Sequence, residues 1–323
     1  MIACLFAIGC APRPPVAPAT TVAPLHDGPL TDFVAAAGLR WMAVARLAEL
    51  AHTPGLSASR DLLFPTARLD AFALATGLDL RETANALAAG YDLGTLYMAE
   101  TPSESALVEA RFRDRLLAGA TTVSPHPQVK RISGAMGLSP ETLVRVDAKW
   151  IAVAVGDPTP ARAAELFALG RLTRSPPALR GSALSTLPHE LDTAPLRFYA
   201  PGPFSGDWAR GARGLLGAAL AFGVAAWPEG AELRVRAVLS GRWEATDAAE
   251  LSSAWTDLSE SSMGRLLGLD QPAGEPRVTF APDALTFDVR LAIAPLTDGL
   301  RAAVAADVWE ILRFPQKRDA PPP

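Results

Sequence analysis

Thr142-Leu143-Val144-Arg145-Val146-Asp147-Ala148-Lys149-Trp150-Ile151-Ala152-Val153-Ala154-Val155 is the stretch on which the fold turns. Successive side chains of an extended chain point to opposite faces. Ile151, Val153 and Val155 therefore share one face, and Ala152 and Ala154 share the other. Asp147-Ala148 reads as the turn from the strand before it. Strands joined by so short a turn pair antiparallel, because a parallel pair needs a crossover of about a dozen residues.

The same reading extends outward in both directions. Strands are expected at 39–45, 95–99, 129–135, 142–146 and 149–155, then at 196–200, 222–227, 232–239, 277–280 and 285–293. Helix starts lie between them. Asp79-Leu80-Arg81-Glu82 and Asp247-Ala248-Ala249-Glu250 have the spacing of capping boxes. Thr101-Pro102-Ser103-Glu104 and Thr159-Pro160 place proline at a first helical position. Gly77, Gly90 and Gly170 stand where helices should stop. The class predicted is α+β, an antiparallel sheet with helices packed on one side, occupying 31–313.

Two halves of this body echo each other. Tyr97-Met98-Ala99 runs into a helix, as does Phe198-Tyr199-Ala200. Ala163-Ala164-Glu165-Leu166 is matched by Ala248-Ala249-Glu250-Leu251. If the fold is duplicated, its boundary falls near 175–193, a stretch broken by Pro176, Pro177 and Pro188.

The N-terminus carries a different kind of information. Met1-Ile2-Ala3-Cys4-Leu5-Phe6-Ala7-Ile8-Gly9-Cys10 is an apolar run ending in a small residue before a cysteine. It is followed by Ala11-Pro12-Arg13-Pro14-Pro15-Val16-Ala17-Pro18, which cannot build a helix or sheet ladder. The run resembles the lipobox of bacterial lipoproteins. The resemblance implies cleavage between Gly9 and Cys10 and a diacylglycerol on the Cys10 sulfur. It departs from the family pattern at Ala7, where leucine is usual, and in having no Lys or Arg before the apolar run. A translational start upstream of Met1 is the expectation that follows. Residues 1–9 then read as signal peptide and 10–30 as a lipidated cysteine with a proline-rich tether. Residues 314–323 read as a disordered tail. Fourteen tether residues in polyproline conformation span on the order of 40 Å. The address implied is the cell envelope, at the outer membrane facing the periplasm or at the cell surface.

Composition excludes several functions. A net charge of −4 argues against a nucleic-acid partner, since phosphate binding needs a basic surface. Cys4 and Cys10 are the only cysteines, so the body has no thiol for a disulfide, a nucleophile or a metal site. The histidines His26, His52, His126 and His189 show no helical metal spacing. His189-Glu190 begins like a zinc-protease motif, but Thr193 occupies the place of its second histidine. No nucleophile elbow, phosphate loop or dinucleotide fingerprint occurs, and no motif calls for a cofactor. Gly211, Gly214 and Gly217 read as close packing along an apolar helix, and 214–227 as a helix followed by a buried strand too short to span a membrane.

Two features are open to more than one reading. Tyr199-Ala200-Pro201-Gly202-Pro203-Phe204-Ser205-Gly206-Asp207-Trp208 places Tyr199, Phe204 and Trp208 on a proline-stiffened loop. They form a candidate partner-binding loop, or else a staple folded onto the next helix, with Trp208 the more buried ring. Arg111, Arg113 and Arg115 fall on the solvent side of a helix whose buried stripe is Val108, Phe112 and Leu116, where anionic lipid heads are the functional alternative. Three functions fit this inventory: a membrane-anchored binding or accessory protein for an envelope partner, a carrier of an apolar ligand such as a lipid, and an envelope hydrolase. A large apolar cavity between sheet and helices favours the carrier; a Ser or Asp bonded to His52 or His189 in a cleft favours the enzyme.

Mass spectrometry of the native protein is expected to find a diacylglyceryl cysteine at residue 10 and detergent-phase partitioning. A soluble mature protein retaining residues 1–9 would refute the lipid anchor. Cys10→Ala should leave the body's fold intact.

Overall fold

The computed structural model describes residues 23–100, 105–147, 149–171 and 173–305. Gly9, Cys10, most of the tether, the Thr101-Pro102 helix start, Ala148 and the 314–323 tail lie outside the described residues.

Twelve strands form one antiparallel sheet. In chain order they are β1 (Leu39–Ala45), β2 (Ala86–Tyr91), β3 (Gly94–Glu100), β4 (Ala118–His126), β5 (Val129–Met136), β6 (Ser139–Val146), β7 (Trp150–Gly156), β8 (Leu196–Pro201), β9 (Ala221–Glu229), β10 (Glu232–Ser240), β11 (Arg277–Ala281) and β12 (Ala284–Ala292). Between them lie α1 (Leu47–Ala51), α2 (Ser57–Leu63), α3 (Thr66–Thr76), α4 (Ser105–Arg115), α5 (Thr159–Ala168), α6 (Asp207–Arg210), α7 (Leu215–Ala218), α8 (Ala245–Glu260), α9 (Ser262–Leu266) and α10 (Ile293–Ala305). The expected α+β, antiparallel class is what the chain adopts.

The strands run β11-β12-β10-β9-β8-β1-β2-β3-β7-β6-β5-β4 across the sheet. β1 and β8 pair at the centre, with Met42 opposite Tyr199 and Ala45 opposite Leu196. Outward from β1 come β2, β3, β7 and β6; outward from β8 come β9, β10, β12 and β11. Each half follows the same path of strand, helical excursion, hairpin, helix, returning strands and closing helix. The first half adds the β4–β5 hairpin at its edge. The path makes β3 the counterpart of β10 and α4 the counterpart of α8. The sequence echo paired β3 with β8 and α5 with α8 instead. Alanine-rich segments match in many registers, so the sequence echo does not follow the order of elements.

Helical cover lies on both faces of the sheet, not on one. Met42, Val44, Leu96, Met98, Ala152 and Ala154 point to a face packed by α5 and by the short helical turns at Leu30–Phe33, Ala183–Thr186 and His189–Thr193. Ion pairing between Arg131 and the buried Glu165, 2.7 Å apart, fixes α5 there. Val108 and Phe112 of α4 pack on Ile132, Leu143 and Ile151 of the opposite face, and α8 covers β11 and β12 on that face. Strands this central carry apolar residues at both parities, which requires two covering layers.

Other local expectations need correction. β2 stands where Gly90 was read as a helix stop, and Asp79 opens no helix; its carboxylate accepts from the Arg81 backbone and guanidinium. β4 was missed. Asp247 is the third residue of a capping box whose cap is Glu244, one turn earlier than expected. Gly211, Gly214 and Gly217 do not share a helix, because Ala212, Arg213 and Gly214 take positive φ and break 207–218 into single turns. Gly77 does end α3 in the left-handed conformation, at φ 75°.

Gly90 has a reason to interrupt a strand. The Trp41 indole lies over it, and a Cβ there would meet Trp41 Nε1 at 2.3 Å. Gly90→Ala is expected to cost about 1–3 kcal/mol, as overpacking does, measured by urea unfolding. In a Trp41→Ala background the same change should cost much less.

Candidate functional site

Strand registers assemble the site from residues far apart in sequence. On the face bearing α4, one row across the sheet runs Phe198, Ala43, Ala88, Tyr97, Val153 and Leu143. The next row runs Leu196, Ala45, Ala86, Ala99, Ile151 and Arg145, and the row on the other side ends Val155, Glu141. Alanine thus fills the middle of the face while larger residues stand at its margins. A methyl group reaches too little of the space between sheet and helices, and a groove of about 920 Å³ remains. Its lining is almost wholly apolar.

The groove has two walls and a partial cover. α4 forms one wall with Val108, Phe112 and Arg115. It is pinned by Glu109, a buried carboxylate 2.6 Å from Lys130 Nζ and 2.7 Å from Arg145 Nε. Phe198 and Val224 stand at the opposite margin. The cover is α2 and α3, inserted between the neighbouring strands β1 and β2. It is tied at one end by a Ser59–Thr297 hydroxyl hydrogen bond to α10, and at the other α3 lies against α4. Between those ties it packs poorly. α3 buries no residue, and Phe64 and Phe72, which line the groove, remain 51% and 39% exposed. Apolar rings at a groove mouth, half in water, are groups with area still to bury.

Few polar groups face this space. Arg115 is only partly in solvent, where the helical pattern predicted the solvent side. Its guanidinium lies 5.6 Å from the Phe112 ring centre, and its Nε is buried with no hydrogen-bond partner among the described residues. Glu141 lines the groove at 4% exposure. Arg113 does face solvent and donates to Thr122 Oγ1.

The aromatic loop divides. Tyr199 is 1% exposed and points to the opposite face, where its hydroxyl donates to Asp192 Oδ1 at 2.6 Å. Burial, with the Asp192 carboxylate beside it, pushes that hydroxyl well above the ordinary phenol range. Tyr199 is therefore a core residue and no anchor. Arg46 and Arg197 both donate to the Asp192 carbonyl, completing a polar knot that ties the 189–193 turn to β1 and β8. Phe204 is partly buried against the α8 core, whereas Trp208 is 47% exposed, the reverse of the expected order. α6 lasts a single turn, so Trp208 stops at the rim. Its ring stacks between Phe204 and Phe198, and Phe198 stacks in turn on Trp41. This ladder reaches the groove through Phe198, a connection no sequence pattern announced.

The histidines stay apart from such chemistry. His52 is exposed and bonds the Ala48 carbonyl one turn back; the His189 side chain is 96% exposed, 3.7 Å from Asp192. Among the described residues no group of three His, Cys, Asp or Glu is placed to hold a metal ion, and no helix is long and apolar enough to cross a membrane.

No family model matches the chain, and no curated protein matches it. Solved structures of TP0453 align with it. Crystal form III gives a TM-score of 0.49 at 10% identity, over 86% of this chain and 99% of that one. Crystal form I gives 0.46 at 10% identity, over 88% and 99%.

The Glu109 pins imply a measurable cost. Glu109→Ala leaves Lys130 and Arg145 side by side without their carboxylate. Breaking one partner out of a buried pair costs about 3–5 kcal/mol, so the urea midpoint should fall markedly. A variant as stable as the parent would mean that α4 is not held this way.

Proposed function

We propose that this protein is a lipid-anchored envelope protein whose body carries an apolar ligand, of the size and character of an acyl chain, in the groove between sheet and helices. The observation that carries the reading is the groove itself: about 920 Å³, floored by Ala43, Ala45, Ala86 and Ala88 and walled by aromatic and aliphatic side chains. Pockets that enclose small molecules run from about 300 to 1,000 Å³ and are lined in this way. The volume is too large for a packing defect. A closed void of that size would not be tolerated in a core, so the space is an open groove that water or a ligand occupies. A groove that stays this open gains by being filled.

The cover is consistent with entry and release. α2 and α3 are held at their ends and loosely packed between them, which is the condition for local opening without unfolding the sheet. The lipobox resemblance at Cys10 supports a place at a membrane surface, where acyl chains are at hand. A tether on the order of 40 Å would let the body meet the bilayer in many orientations. The histidine surroundings do not favour the hydrolase reading, and the partner-anchor reading of the 199–208 loop now rests on the exposed edge of Trp208 alone.

The test uses the full chain with Cys10→Ala, so that no covalent acyl group competes. Titration with a fluorescent fatty acid should show saturable binding, and lipid extraction of the purified protein should recover an acyl-containing molecule. Ala88→Trp places an indole on the floor between Ala43 and Tyr97. It should weaken binding about tenfold or more, equivalent to about 1.4 kcal/mol, with little change in melting temperature. Undiminished binding by that variant would remove the groove from consideration.

A further inference from the structure

The groove is apolar along its floor, but one end of it holds two charges. Glu141 sits on β6 with Gly134 as its cross-strand neighbour. Leu116, which follows Arg115, packs over that same Gly134, where a Cβ would meet Leu116 Cδ1 at 2.7 Å. The C-terminal end of α4 therefore lies beside Glu141, and Arg115 and Glu141 line the same cavity.

Glu141 departs from the rule that the other buried carboxylates of the described residues follow. Buried charges are kept paired, because an ion removed from water without a counter-ion is strongly unfavourable. Asp32 is paired with Arg180, Glu109 with Lys130 and Arg145, and Glu165 with Arg131. Glu141 is as buried as these carboxylates, yet it makes no ion pair or hydrogen bond among the described residues. Arg115 has an aromatic ring near its guanidinium, which satisfies no N–H, and its Nε is orphaned. A buried carboxylate and a partly buried guanidinium, neither of them ion-paired among the described residues, thus line one end of a cavity otherwise suited to hydrocarbon.

We infer that the groove's occupant is an amphiphile with a zwitterionic head, its anionic group held by Arg115 and its ammonium by Glu141, with its chain on the alanine floor. The inference rests on the carrier reading above and specifies its ligand. A purely anionic head would satisfy Arg115 but bring a second negative charge to Glu141. An uncharged head would leave both ions without counter-charge. A head bearing both signs compensates both, and charge-assisted hydrogen bonds are the stronger kind.

The experiment compares three single-chain amphiphiles with one common acyl group: lysophosphatidylethanolamine, lysophosphatidylglycerol and a monoacylglycerol. Each is titrated calorimetrically, below its micelle concentration, into the full chain carrying Cys10→Ala. The ethanolamine head should bind about tenfold or more tighter than either of the others. Glu141→Gln should abolish its advantage over the glycerol phosphate head without lowering the melting temperature, since it relieves an unpaired ion. Arg115→Met keeps the apolar stem; it should weaken both phosphate-bearing ligands and leave the monoacylglycerol unchanged. Equal affinity for the three heads, or tightest binding of the anionic one, would overturn the inference while leaving the carrier reading standing. Binding of none of the three would overturn the carrier reading itself. The ranking on the parent protein decides the matter even if a variant fails to fold.

Discussion

Side-chain alternation along the two central strands is the constraint from which the rest of the structure follows. β1 sends Met42 and Val44 to one face and Ala43 and Ala45 to the other. The large residues meet a layer made of α5 and short helical turns and pack to ordinary density. The alanines meet no such layer. The same division repeats in β2, where Leu87 and Ala89 enter the core and Ala86 and Ala88 line the groove. A sheet whose centre is full-sized on one side and minimal on the other builds a core and a cavity from the same strands.

What surrounds the cavity follows the same economy. The wall that must stay fixed, α4, is held by buried charge: Glu109 reaches Lys130 and Arg145 from across the helix–sheet interface. Such a network does little for net stability, since desolvation offsets most of the attraction, but it punishes displacement heavily. The cover, α2 and α3, has no comparable fixing along its length. α3 buries nothing, and its apolar side chains are left partly in water. A pinned wall and a loosely packed cover thus bound the same groove, the arrangement that the proposed carrier would use. The stacked rings of Trp41, Phe198, Trp208 and Phe204 continue the margin beyond the groove toward the second half of the sheet.

The matching order of connections in the two halves places this site at their junction. The central β1–β8 pair contributes Ala43 and Ala45 from one half and Leu196 and Phe198 from the other to the groove face. Yet the halves are unequal in use. In the second half the excursion between β8 and β9 is packed down, with Leu215 of α7 buried in one core with Leu239, Leu285 and Trp243. In the first half the helical excursion between β1 and β2 stands off the sheet instead. One copy of the path is packed as core, and the other leaves the space that can take a ligand.

Much of the fold was legible because strands announce themselves through alternation and β-branched content. The pairs β6–β7 and β9–β10 are evident from Val144, Val146, Ile151 and Val153, and from Val224, Val235 and Val238. β2 was not legible. Ala86-Leu87-Ala88-Ala89-Gly90-Tyr91 has helix-favouring composition with a glycine that looks like a stop; its pairing between β1 and β3 makes it a strand, and the Trp41 ring accounts for the glycine. β4 is an edge strand whose exposed Thr121, Thr122 and Ser124 give no apolar period to read. The apolar run ending at Gly9-Cys10, on which the lipobox resemblance rests, is legible in sequence alone. The groove belongs wholly to tertiary structure. Its alanines are each unremarkable in sequence, and antiparallel register alone brings Ala43, Ala88, Tyr97 and Phe198 into one row. The charges at its end were likewise hidden: helical spacing put Arg115 on the solvent side, and only the packed structure brings it and Glu141 to the lining of one cavity.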